Sequence, residues 1–311
     1  MQASLNSVMR RLVPLILFLI PLLASAQNTR SAVSVTGSDT ATCTVPDPCR
    51  TFSVALSKTN LGGEVIVLSS GGYGAFNVTQ AVTIVSPPGI YAAIAPNSGT
   101  AISILVASGN SVVLRGLDLN GSFGAASGVE VDSTGAIVYL ENLVIAGFTA
   151  PGSGFGIYTG QQSDLRIKDS FLRNNVTGIF LSGSSATARA RVTIDHCRLE
   201  GSTYGLWSYN HSDATVTNSL MSGNSRGVSI DSVVSDIDAR ITIDNSVFAQ
   251  NRVGIFAIRT LALIRVSRST ITQNTLYAFD IQQGAQVLSA GNNVVVDNAA
   301  NETFSGTFAL K

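Results

Sequence analysis

Residues 193–195 and 242–244 both read Thr-Ile-Asp, and the carboxylates they carry, Asp195 and Asp244, are the first candidates for chemistry in this chain. Two carboxyl groups about 6.5–9.5 Å apart suit inverting glycoside hydrolysis, one acid protonating the leaving oxygen while the other activates water. That division of labour needs surroundings that push one pKa up, and neither aspartate has a visible desolvating neighbour. A second set is aromatic: Tyr158, Phe180, Trp207, Tyr209 and Phe256, with Asp231 and Asp280 near them, could offer ring surface and carboxylates to sugars. His196 and Cys197 are adjacent, yet His211 is the only other histidine, so no metal-ligand cluster or cofactor fingerprint is present and none is expected. Arg166-Ile167-Lys168 matches a tripeptide of polygalacturonases without that family's remaining segments. No catalytic motif is complete.

A repeat positions these residues. Residues 241–256 read ITIDNSVFAQNRVGIF. Ile241 and Ile243 alternate with Thr242 and Asp244, the period of a half-buried strand. Asn245-Ser246 and Gln250-Asn251 make turns around buried Phe248, and Gly254 opens a further strand through Ile255 and Phe256. Aligned on the residue that closes the first strand, the copies fall at Asn142, Asp169, His196, Asn218, Asn245, Arg268 and Asn292, spaced 27, 27, 22, 27, 23 and 24 apart. An apolar column precedes it by two residues (Leu140, Ile167, Ile194, Val216, Ile243, Val266, Ala290). Another follows it by three (Ile145, Leu172, Leu199, Met221, Phe248, Ile271, Val295). Short strands at this period, without intervening helices, indicate an all-β solenoid, a single-stranded parallel β-helix. Stacking of the aligned turn residues would satisfy buried backbone groups, and Cys197, aligned with Ser170, Ser219, Ser246 and Ser269, would be a small buried residue.

In such a helix each coil rises about 4.8 Å, which sets Asp195 and Asp244 about 9.6 Å apart on the first strand's outward face. Glu141, Lys168 and Asp195 alternate in sign there, so a solvated charge ladder is the plainer reading. The outward slot after the repeat glycine reads Glu130, Tyr158, Phe180, Trp207, Ser229, Phe256, Asp280, and the next one adds Asp132, Tyr209, Asp231 and Gln282. As an exposed column from Tyr158 to Phe256 it would span about 19 Å, room for roughly four sugars. Against this, rings on adjacent coils stack on each other and show edges rather than faces. The column would then serve the sheet alone, or lie under the loops at 182–190 or 232–239.

Arg10 and Arg11, an apolar run at 12–23 and Ala24-Ser25-Ala26 have the order of a secretory signal peptide over residues 1–26, cleaved near Ala26. The run is too short for a spanning helix of about 20 residues, so a secreted or periplasmic protein is expected, with no membrane span in the mature chain. Without that segment 17 basic residues face 19 acidic ones, which gives nucleic acid no basic footprint. Residues 27–61 form a cap segment in which Cys43 and Cys49 are expected to pair, and 52–61 has helical spacing. Residues 62–311 form the β-helix domain.

The head TCTVPDPCRTFSVALSKTNLGGEVIVLSSGGYG, the repeats, and the tail GNNVVVDN with terminal FALK resemble bacterial exported right-handed parallel β-helix repeat proteins of the pectate-lyase-like superfamily. The branch it most resembles has no assigned activity, so the resemblance implies the fold and its hand and adds little chemistry. The expected function is non-catalytic binding of an extracellular or cell-surface polysaccharide through Tyr158, Phe180, Trp207, Tyr209, Phe256, Asp231 and Asp280. Two alternatives stay open: a polysaccharide lyase, hydrolase or epimerase using Asp231 and Asp280 or Asp195 and Asp244, and a purely structural surface protein. The sequence leaves the oligomeric state open.

Overall fold

In the computed structural model, which describes residues 27–121, 124–231 and 238–309, the chain winds into a right-handed parallel β-helix of about eight turns. Each full coil gives one strand to each of three parallel sheets of 12, 10 and 9 strands. In one coil these are Ala239–Asp244, Val247–Ala249 and Val253–Ile258. The residues at 1–26 that read as a signal peptide lie outside the described ones, as do 232–237 of one loop and the last two residues of the tail.

The apolar columns pair in register from coil to coil, Leu140 through Val266 on the first sheet and Ile145 through Val295 on the second. Ile241, Ile243, Phe248 and Ile255 are at most 1% exposed. Each such side chain contributes about 1.5–3 kcal/mol by leaving water. The last coil departs from the alignment. Ser289, not Ala290, pairs with Val266, and Gly291 with φ 83° takes the left-handed place that Arg268 holds with φ 47°. One extra residue follows before Val294 rejoins the register opposite Thr270, so Asn292 is displaced from the turn slot.

That turn slot is conformational rather than a buried ladder. Asn142, Asp169, His196, Asn218, Asn245 and Arg268 all have φ between 45° and 52°, where a short polar side chain is tolerated better than a branched one. His196, Asn218, Asn245 and Arg268 are solvent-exposed. The buried backbone groups are satisfied one and six residues further on. Asn251 Oδ1 accepts from the Asn224 backbone N–H at 3.0 Å, while its Nδ2 donates to the Met221 carbonyl at 2.9 Å and to Asn274 Oδ1 at 3.1 Å. Asn175, Asn224 and Asn274 repeat this arrangement, and Ser202 fills the slot in its own coil. The Ser219, Ser246 and Ser269 hydroxyls each accept from the coil before and donate to the carbonyl two residues back. Cys197 stands in that column, 1% exposed, its thiol donating to the Asp195 carbonyl at 3.3 Å. Burial pushes this thiol up to about 11.

At the N-terminal end, Asn28–Val33 pairs with Thr59–Val67. A helix, Phe52–Ser57, is capped by the Thr51 hydroxyl and buries Phe52, Ala55 and Leu56. It is shorter than the 52–61 spacing suggested because residues from Thr59 onward are taken by the strand opposite Asn28. Cys43 and Cys49 form the expected disulfide. Among the described residues no helix is long and apolar enough to cross a membrane.

Candidate functional site

The third sheet carries the outward aromatic residues. Glu130, Tyr158, Phe180, Trp207, Ser229, Phe256 and Asp280 occupy one register column on seven consecutive strands, as the sequence pattern implies. Two further rings join it. Phe155 lies 5.0 Å from Tyr158 and Tyr204 lies 4.6 Å from Trp207, centroid to centroid. Strict alternation hides them, since residues three apart on a strand should face opposite ways. The repeat glycine removes that restriction. Gly156 and Ile157 are buried together between half-buried Phe155 and Tyr158, and the pairing skips the glycine. A Cβ on Gly178 or Gly205 would come within 2.5 Å of the next coil's glycine carbonyl, so only glycine lets the backbone approach there. The glycine that recurs at this slot on six of the seven strands, with Ala278 on the last, is the signal that could have located Phe155 and Tyr204.

The rings do not form a single stack. Tyr158 and Phe180 are parallel at 5.4 Å and 3°, but Trp207 stands edge-on to Phe180 at 5.0 Å and 85°, and Tyr209 edge-on to Trp207 at 5.8 Å and 90°. Edge-to-face turns of this kind are favourable ring geometries and keep the cluster from presenting edges only. Tyr158, Tyr204, Trp207 and Tyr209 are half-buried, with the indole N–H donating to the Asp231 carbonyl at 3.1 Å. Burial, and then the charges of Glu130 and Asp132, raise the Tyr158 phenol above its ordinary value.

Exposure along the column differs from the pattern-based expectation. Phe180 is 9% exposed and Phe256 4% exposed. Phe180 is covered by rings on both sides, whereas Phe256 lies beneath the Arg226 guanidinium, 3.6 Å from the ring centroid. Arg226 in turn pairs with Asp231 at 2.9 Å. Ser229, between Trp207 and Phe256, is fully buried, and neither its hydroxyl nor that of buried Thr177 has a hydrogen-bond partner. The accessible rings thus run from Tyr158 to Trp207, two coil steps or about 10 Å, instead of four. Asp280 lies beyond Phe256 and accepts from Gln282, apart from the ring cluster.

Asp195 and Asp244 sit two coils apart on the first sheet, as expected. Partial burial pushes Asp195 up, but hydrogen bonds from Asn218, His196 and Thr217 outweigh it and hold the carboxyl at about 2. Hydrogen bonding to Arg268 lowers Asp244. Both therefore stay ionised, and the pair lacks the raised acid that glycoside cleavage requires. The alternating ladder accounts for them, with Arg115 and Glu141 paired at 2.6 Å above Lys168 and Asp195. Arg166-Ile167-Lys168 occupies an ordinary strand slot in Ser163–Lys168. Among the described residues no group of three or more His, Cys, Asp or Glu side chains is placed to hold a metal ion.

The architecture is shared with polysaccharide-active proteins of known structure. A rhamnogalacturonan lyase superposes with a TM-score of 0.62 at 12% identity over 89% of this chain and 90% of the other. An alginate lyase from Paenibacillus sp. str. FPU-7 gives 0.61 at 16% over 91% and 99%, and the pectate lyase Pel9A gives 0.60 at 14% over 92% and 80%. At these identities the likeness is one of fold. No curated protein matches the chain. Residues 102–308, more than half of the chain and including every coil that carries the ring cluster, match a family model, and the protein accordingly belongs to the family described as periplasmic copper-binding protein (NosD).

Proposed function

We propose that this protein is an exported, non-catalytic binder of an extracellular or cell-surface glycan. The face formed by Phe155, Tyr158, Tyr204, Trp207 and Tyr209 is its binding surface. The observation that carries this reading is the half-buried ring cluster itself, held on rigid strands and rimmed by phenol hydroxyls and the Glu130 and Asp132 carboxylates. Rings with an apolar body and a polar tip suit a ligand whose faces are apolar and whose edges bear hydroxyls. Phe180 and Phe256 support the face from beneath, and Asp231 holds Arg226 over Phe256. The named activities of the similar folds, all on polysaccharides, are in keeping with a carbohydrate ligand. A periplasmic family agrees with the export signal read in residues 1–26.

The family description names copper, and the donors among the described residues do not fit a copper site. Copper selects imidazole, thiolate and thioether ligands. Cys43 and Cys49 are oxidised together, Cys197 is enclosed in the serine column, and Met221 is fully buried in the core. His196 and His211 flank opposite ends of neighbouring strands, Ala190–Asp195 and Ser212–Thr217, roughly 20 Å of extended chain apart. No function is routed through the metal.

Trp207 is the only tryptophan, so its emission reports directly on the face. Titration with oligosaccharides should shift or quench it, with affinity rising over the first two to three sugar units and then levelling. Emission that is indifferent to every glycan would exclude the reading.

A further inference from the structure

We infer that the ring face selects uncharged glycan chains and rejects polyuronates, an inference that rests on the glycan-binding reading above. The seven strands that carry the column, from Ser127–Val131 to Tyr277–Gln282, contain one basic residue, Arg226. Its charge is already committed, to Asp231 at 2.9 Å and to the ring of Phe256. Against it stand Glu130 and Asp280 within the strands and Asp132 and Asp231 just after them, while the flanking cations Arg252 and Arg259 bracket Val253–Ile258, two coil steps beyond the Trp207 strand.

Glu130 and Asp132 have neutral partners. Thr100 Oγ1 donates to Glu130 at 2.6 Å, and Gln161 Nε2 lies 3.5 Å from Asp132. Both carboxylates stay available to the ligand side with their charge uncompensated. Glu130 is paired directly with Tyr158, one coil step from the accessible rings. A chain lying across Tyr158, Tyr204 and Trp207 therefore passes within about one Debye length, ~8 Å at physiological salt, of fixed negative charge. A uronate polymer brings a carboxylate on every residue into that field and meets within these strands only Arg226, whose charge is already paired with Asp231. An uncharged chain meets the same carboxylates as hydrogen-bond acceptors for its hydroxyls. The raised Tyr158 phenol, to which Glu130 and Asp132 contribute after burial, is in keeping with this field reaching the rings.

The test is calorimetric titration of the full chain with xylo- or cello-oligosaccharides and with oligogalacturonates of equal length, at about 20 mM and about 500 mM salt. At low salt the uncharged chains are expected to bind at least about tenfold tighter, and the gap should narrow at high salt as screening weakens the repulsion. The double variant Glu130→Gln/Asp132→Asn should raise oligogalacturonate affinity severalfold. Uncharged-chain affinity, which uses the same carboxylates as acceptors, should fall by no more than a few fold because each amide keeps one acceptor oxygen, and circular dichroism checks that the variant is folded. Uronate binding that depends on Trp207 and equals or exceeds that of uncharged chains would overturn the selectivity while keeping the face. Failure of both glycan classes to bind would overturn the selectivity and the face together.

Discussion

The Arg226 guanidinium lies 3.6 Å from the centroid of the Phe256 ring while its Nη1 sits 2.9 Å from an Asp231 carboxylate oxygen. One side chain thus closes the end of the aromatic column and uses the charge that an anionic ligand would need. Replacing Arg226 with alanine should expose Phe256 and cost about 1–2 kcal/mol, the sum expected of a cation–π contact and a partly exposed ion pair. Lysine should restore only part of this, because it cannot lie flat on a ring. Urea denaturation of the two variants checks both points, and dye binding to apolar surface should rise for Arg226→Ala.

The two asparagine turns should behave differently. Asn251→Ala leaves the Asn224 N–H and the Met221 carbonyl without their partner in the core and should cost about 2–4 kcal/mol. Asn245, exposed with φ 45°, should accept glycine with little change, whereas valine there should cost about 1–2 kcal/mol. Equal losses for Asn251→Ala and Asn245→Gly would refute this assignment of roles.

Much of this was legible in the sequence because a β-helix repeats its environment every coil. The alternation at residues 241–244 and the apolar columns gave the first two sheets in register, and the outward column from Glu130 to Asp280 was readable residue by residue. What stayed hidden follows from physics outside the alternation. The glycine close approach put Phe155 and Tyr204 on the outward face. Asn251, not Asn245, carries the buried hydrogen bonds, since both turns are equally rich in polar residues. Arg226 lies outside the aromatic column in sequence, so nothing in the pattern indicated that it covers Phe256.

Acid should weaken the protein partly through Asp195. Its folded pKa of about 2 lies below the ordinary 3.8, so its stabilising contribution is fully present above about pH 4 and is lost as pH falls through about 2. Asp195→Asn should lower the unfolding midpoint near neutrality, where that contribution is present in the wild type, and the two proteins should converge as pH falls through about 2, so the variant's acid limb is flatter. An unaltered acid limb would remove Asp195 from the account.

Cys197 should be inert in the folded protein, because burial pushes its pKa to about 11 and the thiolate is the reactive form. A thiol reagent at pH 8 should find no free thiol until denaturant is added. Cys197→Ser places the residue that neighbouring coils carry at the same slot, and stability should change by less than about 1 kcal/mol.

The proposed glycan-binding face turns on Trp207, which packs against both Tyr204 and Tyr209. Titration calorimetry of an uncharged oligosaccharide against the wild-type chain and Trp207→Ala, with circular dichroism to confirm the fold of both, tests it most directly. Loss of one large aromatic contact should weaken binding at least about tenfold, equivalent to about 1.4 kcal/mol. Unchanged affinity in a folded Trp207→Ala protein would contradict the account.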